Sequence, residues 1–160
     1  MKIILSLYAL LFFSSCQKQP DYLSASINRK NIYKIKMLNR SEKNPNDFMA
    51  FEPFYLEVKP DNIVKFVLVD KGHGSKSLSI PKKALPWNSG LNNEIEVLLK
   101  EEGFYLYECR PHTSMGMVGL IRVGSPSKKN IKETKKKLLE LQKNIKMNHK
   151  RIEELINLVR

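Results

Sequence analysis

Cysteine is scarce in this chain, whose 160 residues include two, Cys16 and Cys109. If Cys16 serves as a lipid attachment site, as argued below, Cys109 is the one remaining thiol and an intramolecular disulfide is excluded. A lone free thiol is a liability in an oxidising compartment unless something occupies it. The shortage of cysteine therefore favours a metal-bound thiolate over a disulfide-stabilised fold.

Long apolar runs are nearly absent, and the first 15 residues, MKIILSLYALLFFSS, hold the exception. This stretch has a lysine near its start, an apolar segment too short to span a bilayer comfortably, and small residues at its end. These features are typical of an export signal. Cys16 follows directly and resembles the cysteine of a bacterial lipobox. We therefore predict a signal peptide over residues 1–15, a lipidated Cys16 that begins a polar tether over residues 16–31, and a lipid-anchored periplasmic location. An uncleaved membrane anchor and an ordinary cleaved signal are the alternatives.

Acidic residues are few relative to basic ones, with 16 Asp and Glu against 28 Lys and Arg and a net charge of +12. The excess is concentrated in residues 125–160, which hold eleven Lys or Arg and four Glu. Such a balance usually indicates nucleic-acid binding. An exported protein meets little nucleic acid, however, so we predict no nucleic-acid partner. Acidic proteins or anionic lipid surfaces are the expected partners.

Between these two ends the sequence predicts β-strands. Apolar residues alternate with lysines in IYKIKML, residues 32–38. NIVKFVLVD, residues 62–70, is nearly continuous in β-formers, as expected of a strand buried on both faces. Turn signals separate the further predicted strands, which are 54–60, 94–99, 104–109 and 117–123. Short strands at such intervals indicate an all-β sandwich.

Proline and glycine are absent from residues 127–160, where apolar residues recur at spacings of three and four. This pattern predicts helix, with Ser127 or Asn130 as the N-cap. A heptad seam suggests a coiled coil, but Lys135 and Lys137 would face like charges in a parallel homodimer. We therefore favour one or two basic amphipathic helices packed on the protein's own sandwich, and a monomer.

One stretch, YECRPHTSMGMVG at residues 107–119, concentrates soft and borderline metal ligands. Cys109, His112 and Met117 form a Cys-x2-His-x4-Met pattern, which one loop can wrap around a single ion. Thiolate, imidazole and a weak thioether are the ligands of type 1 copper, which needs a second histidine. Structural zinc would prefer more cysteine or histidine and no methionine, and a cysteine hydrolase would need a base and an orienting group. The pattern favours copper.

The second histidine is predicted to be His73. It follows the most apolar predicted strand, and Gly72 and Gly74 on either side let the backbone come close to a metal centre. An amide N–H there can also point at the cysteine sulfur. The third histidine, His149, lies in the charged tail, so we expect it to be solvated surface.

Over residues 32–124 the sequence resembles the cupredoxins, in particular the pseudoazurins. The motifs that carry the resemblance are MLN near the first strand, FEP before the second, VDKGH upstream, and CRPHTSMGMVG at the ligand loop. The resemblance implies a Greek-key cupredoxin β-sandwich with a C-terminal α-helical extension. It also implies one type 1 copper ion held by His73, Cys109, His112 and Met117. Met115 then matches a non-ligand, and Met49 a residue packed beside the site.

The sequence also departs from the pseudoazurin pattern. Gly74 stands where asparagine is usual, Thr113 and Ser114 replace an aromatic residue and a glycine, and Arg110 adds a charge beside the cysteine. The segment 81–93 is shorter than the corresponding segment of the pseudoazurin pattern. The tail lacks the breaks expected between two C-terminal helices.

The resemblance implies periplasmic single-electron transfer, with a c-type cytochrome or a copper-containing reductase as partner, and no enzymatic activity. The alternative is a copper-binding or copper-delivery lipoprotein that holds the ion without cycling it. Reversible bleaching of an intense visible band would indicate the carrier, and ready loss of Cu(I) to a competitor would indicate delivery.

Overall fold

The structure, a computed structural model, describes residues 31–160. The predicted signal peptide over residues 1–15, the predicted lipidation site Cys16 and nearly all of the predicted tether lie outside the described residues. Within them, eight strands form two four-stranded sheets, which we call sheet I, with strand order β2-β1-β4-β6, and sheet II, with strand order β3-β8-β7-β5. The strands are β1 Ile32–Arg40, β2 Phe48–Glu52, β3 Tyr55–Val58, β4 Asn62–Leu68, β5 Lys76–Ser79, β6 Ile95–Leu99, β7 Gly103–Glu108 and β8 Val118–Val123.

The main core lies between the two sheets. Ile35, Val64 and Phe66 from sheet I face Tyr105 and Tyr107 from sheet II, and all five are at most 1% exposed. The prediction that β4 is buried on both faces is wrong, because its residues alternate between buried and half-buried. The strand buried on both faces is β7, because helices cover the outer face of sheet II.

Each of the six predicted strands is found, but two strands were missed. They are β2 and β5, and each lies at the edge of its sheet. In β5, KSLS, every residue is half-buried. An edge strand with polar, half-buried side chains has no clean apolar alternation, so only its pairing with β7 reveals it.

The tail folds into two helices, α1 Lys128–Gln142 and α2 His149–Leu158. Both pack on the outer face of sheet II, α1 across β7 and β5 and α2 against β8. The predicted seam faces Phe104, Leu106, Val118 and Leu120 of the sandwich rather than a second chain. Its fully or nearly fully buried members are Leu138, Ile145, Ile152, Leu155 and Val159.

The ends of these helices are defined by polar side chains. Ser127 caps α1 by accepting a hydrogen bond from the backbone N–H of Asn130 at 3.2 Å, as predicted. The expectation that the tail lacks a break is wrong, because residues 143–148 separate the helices. At Asn148, just before α2, the chain changes direction with a left-handed backbone conformation, φ 53°. Asparagine tolerates this conformation better than most residues do.

Candidate metal centre

The three predicted nitrogen and sulfur ligands come together at one end of the sandwich. The potential ligand atoms of His73, Cys109 and His112 all lie within 4.8 Å of one another. Cys109 Sγ is 3.7 Å from His73 Nδ1 and 3.5 Å from His112 Nδ1. Residues separated by 36 positions in the chain thus form one compact donor set.

These distances fit a shared metal ion. With bonds of about 2.0–2.3 Å to nitrogen and sulfur, an ion near the plane of three donors places them about 3.4–3.8 Å apart. Both measured S···N distances lie in that interval. One thiolate and two imidazoles are the in-plane ligands of type 1 copper, so the donor set suits copper in chemistry as well as in geometry.

The ligand loop connects β7 to β8. Cys109 follows the last residue of β7, a short 3-10 helix spans Arg110–Met115, and Gly116 turns the chain with φ 78°. The backbone N–H of Cys109 donates to Met117 O at 2.9 Å, and that of Met117 donates to His112 O at 3.1 Å. These bonds fold the loop back on itself, so that all three predicted ligands of this loop are tied together.

The predicted axial ligand, Met117, is fully buried and belongs to the same core cluster as Cys109. Met115 is half-buried in the 3-10 helix, and Met49 packs against the core cluster from the start of β2. His149 is exposed at the start of α2, as predicted.

His73 is oriented by a residue that sequence analysis did not assign. Its Nε2 lies 3.0 Å from Asn39 Oδ1 near the end of β1. The amide oxygen can only accept, so His73 carries its proton on Nε2 and Nδ1 is free to bind a metal. Asn39 belongs to the MLN motif, which could have signalled this role, but the contact spans 34 positions and depends on β1 pairing with β4.

Burial controls the protonation of the three side chains. It is the main cause that lowers the pKa of His73 and of His112 and raises the pKa of the Cys109 thiol. The nearby backbone N–H groups of Gly74 and His112 partly oppose that rise in the pKa of Cys109. Neutral imidazoles are ready to bind a metal, and the thiol loses its proton when a metal binds.

The glycine at position 74 is explained by the short segment that faces it. A Cβ at Gly74 would collide with the carbonyl oxygen of Gly90. Residues 88–93 also hydrogen-bond the turn around His73, with 2.7 Å from Asn92 N to His73 O and 2.9 Å from Ser75 N to Ser89 Oγ. The asparagine expected here has no room, and this segment supports the His73 turn instead.

We expect Gly74→Ala to destabilise the protein by about 1–3 kcal/mol, because a core without space must move to accept a methyl group. The displaced turn should also weaken copper binding. Thermal unfolding of the metal-free protein and chelator competition of the copper form measure the two effects. Lys71→Ala, an exposed change in the same turn, should leave both unchanged. Equal behaviour of the two variants would contradict the steric role of Gly90.

Comparison with known proteins assigns the fold and site to a class. The profile of the copper binding proteins of the plastocyanin/azurin family matches residues 36–124. The chain therefore belongs to the plastocyanin/azurin family of copper-binding proteins, and its cofactor is one copper ion.

Within that family, several similar proteins are pseudoazurins. A solved pseudoazurin from a Sinorhizobium species is 32% identical with a TM-score of 0.66, over 81% of this chain and 97% of that one. The pseudoazurin structure from Methylobacterium extorquens is 30% identical with a TM-score of 0.63, over 81% and 100%. The Paracoccus pantotrophus pseudoazurin is 33% identical over 94 residues, which are 58% of this chain and 63% of that relative. The matched part thus spans less than two thirds of that curated relative's length.

Proposed function

We propose that this protein carries single electrons between redox partners in the periplasm and is not an enzyme. In this proposal His73, Cys109 and His112 would hold the copper ion, and Met117 would supply a weak thioether as the fourth ligand. The observation that best supports this proposal is that the buried thiol of Cys109 and one nitrogen from each of two imidazoles lie within 4.8 Å of one another. Copper bound there supplies a one-electron couple between Cu(II) and Cu(I).

The surrounding residues suit an electron carrier because they hold the ligands still and exclude water. His73, Cys109 and Met117 are each fully buried. The hydrogen bond from His73 Nε2 to Asn39 Oδ1 orients the imidazole, and the nearby backbone N–H of Gly74 favours the thiolate form of Cys109. A site that cannot rearrange keeps the same geometry in both oxidation states, which favours fast transfer.

His112 provides the route between the site and a partner. It is half-buried, whereas the other two converging ligands are fully enclosed. Next to it, Pro111 and Arg110 are exposed, and Leu91 is 53% exposed. Arg110, Pro111 and Leu91 contribute to the lining of a shallow hollow of about 330 Å³. An apolar rim with added positive charge suits an acidic partner, and we propose a c-type cytochrome or a copper-containing reductase.

The proposed anchor leaves this surface accessible. Ile32 at the start of β1 pairs with Ile63, while Asn39 near its other end reaches His73. The tether therefore joins the sandwich at the end remote from the copper site. We propose a cleaved signal peptide over residues 1–15, a lipidated Cys16, a copper domain over residues 32–124 and a helical extension over residues 125–160, acting as a monomer. No helix within residues 31–160 is both long and apolar enough to cross a bilayer.

A visible spectrum of the copper-loaded protein tests the proposed function. We expect an intense band that a reductant bleaches and an oxidant restores over repeated cycles. A colourless copper complex would overturn the type 1 assignment. A coloured protein that loses Cu(I) readily to a competing chelator would instead favour copper delivery.

Replacing the axial ligand should change the potential and leave the copper bound. A thioether favours Cu(I), whereas the harder amide oxygen of glutamine favours Cu(II). We expect Met117→Gln to lower the reduction potential by about 60 mV or more, the equivalent of a tenfold change in the redox equilibrium. Met115→Gln is the matched control and should leave the voltammetric midpoint in place. A shift in the control alone would move the axial assignment to Met115.

A further inference from the structure

The segment that leads into α2 and the first turn of α2 hydrogen-bond the ligand loop at three consecutive carbonyl oxygens. Lys146 N donates to Ser114 O at 2.7 Å, and Asn148 Nδ2 donates to Met115 O at 2.8 Å. Arg151 Nη1 donates to Gly116 O at 2.5 Å. The residue after these three is the proposed axial ligand.

The side chains of Asn148 and Arg151 also hold the start of β2. Asn148 Nδ2 donates to Phe48 O at 2.9 Å, and Arg151 Nη1 donates to Met49 O at 2.9 Å. Arg151 Nη2 forms an ion pair with Asp47. Segments about 100 and 35 positions away in the chain are thereby joined through one turn of α2.

The contact is close as well as polar. A Cβ at Gly116 would lie 2.9 Å from Met147 O and 3.0 Å from the Cβ of Asn148. The ligand loop therefore touches residues 147–148 with no side chain between them. A displacement of α2 would move Gly116, and with it the backbone of the next residue.

Burying the charged side chain of Arg151 at this position is energetically unfavourable. It is 4% exposed, and burial is the main cause that lowers its pKa, which Asp47 partly offsets. Replacing a buried ion pair with apolar residues is often neutral or stabilising. Stability alone therefore does not explain a guanidinium at this position. Its planar fork reaches several acceptors in fixed directions, which an apolar side chain cannot do.

We propose that Arg151 and Asn148 are positioning residues for the copper site. They hold the segment 114–116 against the start of β2 at Phe48 and Met49, and so set where Met117 lies relative to the other three ligands. The inference rests on the proposed ligand set. The helical extension is then part of the frame of the metal site and more than a basic appendage.

The test compares Arg151→Met with Arg160→Met, a loss of an exposed arginine beyond the end of the same helix. Copper loss to a chelator, the ratio of visible bands and the electron paramagnetic resonance spectrum are measured on both. For Arg151→Met we expect copper affinity to fall by about 10–100-fold, as for other residues that orient metal ligands, with altered band ratios and altered resonance. The control should match the parent protein.

A purely structural role predicts a lower melting midpoint with unchanged spectra and unchanged copper affinity, and that result would overturn the proposal. Asn148→Gly decides the matter if Arg151→Met does not fold. This variant keeps the left-handed backbone but removes the amide donors to Met115 O and Phe48 O. We expect a smaller fall in copper affinity and smaller spectral changes than for Arg151→Met. Unaltered spectra would again overturn the proposal. A parent protein without the intense visible band would instead overturn the proposed function.

Discussion

Cys109→Ser is expected to abolish the intense visible absorption of the copper-loaded protein. The band requires charge transfer from a thiolate sulfur to Cu(II), and a serine hydroxyl is a harder and poorer electron donor. Cys109 is the sulfur to which both imidazoles converge, at 3.7 and 3.5 Å. Titration of the metal-free variant with Cu(II), followed by absorbance, measures the effect.

Cys16→Ser is the matched control, because it makes the same change at the other cysteine and should leave the band intact. Unfolding of both metal-free variants should be compared, since a buried thiol is replaced by a hydroxyl that costs about 1–3 kcal/mol if it finds no partner. A folded Cys109→Ser protein that keeps the colour would refute the assignment of the thiolate.

Removal of residues 128–160 is expected to abolish cooperative folding. Five apolar side chains of the extension, Leu138, Ile145, Ile152, Leu155 and Val159, are at most 5% exposed. Each contributes about 1.5–3 kcal/mol by burial, and the sum approaches the whole stability of about 5–15 kcal/mol that is typical of a domain. Truncation would also expose Phe104, Leu106, Val118 and Leu120. Thermal unfolding followed by circular dichroism measures the loss.

A charge variant separates packing from electrostatics in the same segment. Lys132, Lys135, Lys136 and Lys143 are exposed on α1 and just beyond it. Replacing all four with glutamine should keep the melting midpoint and weaken binding to anionic vesicles or an acidic redox partner. That weakening should shrink as salt screens the charges.

For the truncation itself, a protein without residues 128–160 that melts like the full chain would show that the helices do not stabilise the sandwich.

Much of the site was predictable because its information is local. The spacing of Cys109, His112 and Met117 lies within one loop, and the glycines beside His73 mark a turn that can approach a metal. The apolar seam of the tail likewise predicted which residues are buried, because its 3–4 spacing reflects the geometry of a single helix. Packing on the protein's own sandwich was favoured over a second chain because of the like charges beside the seam, and the structure confirms it.

The sequence by itself determined the types of the proposed ligands, the loop that contains three of them, the alternation of most strands and the buried stripe of the tail. Only the tertiary structure decided that the stripe covers sheet II, that Asn39 orients His73, that Gly90 excludes a side chain at Gly74 and that Arg151 reaches Gly116 O. The physical reason is distance along the chain. Period and spacing are properties of neighbouring residues, whereas each of these contacts joins residues 16 or more positions apart and exists only after the sheets have paired and the helices have packed on them.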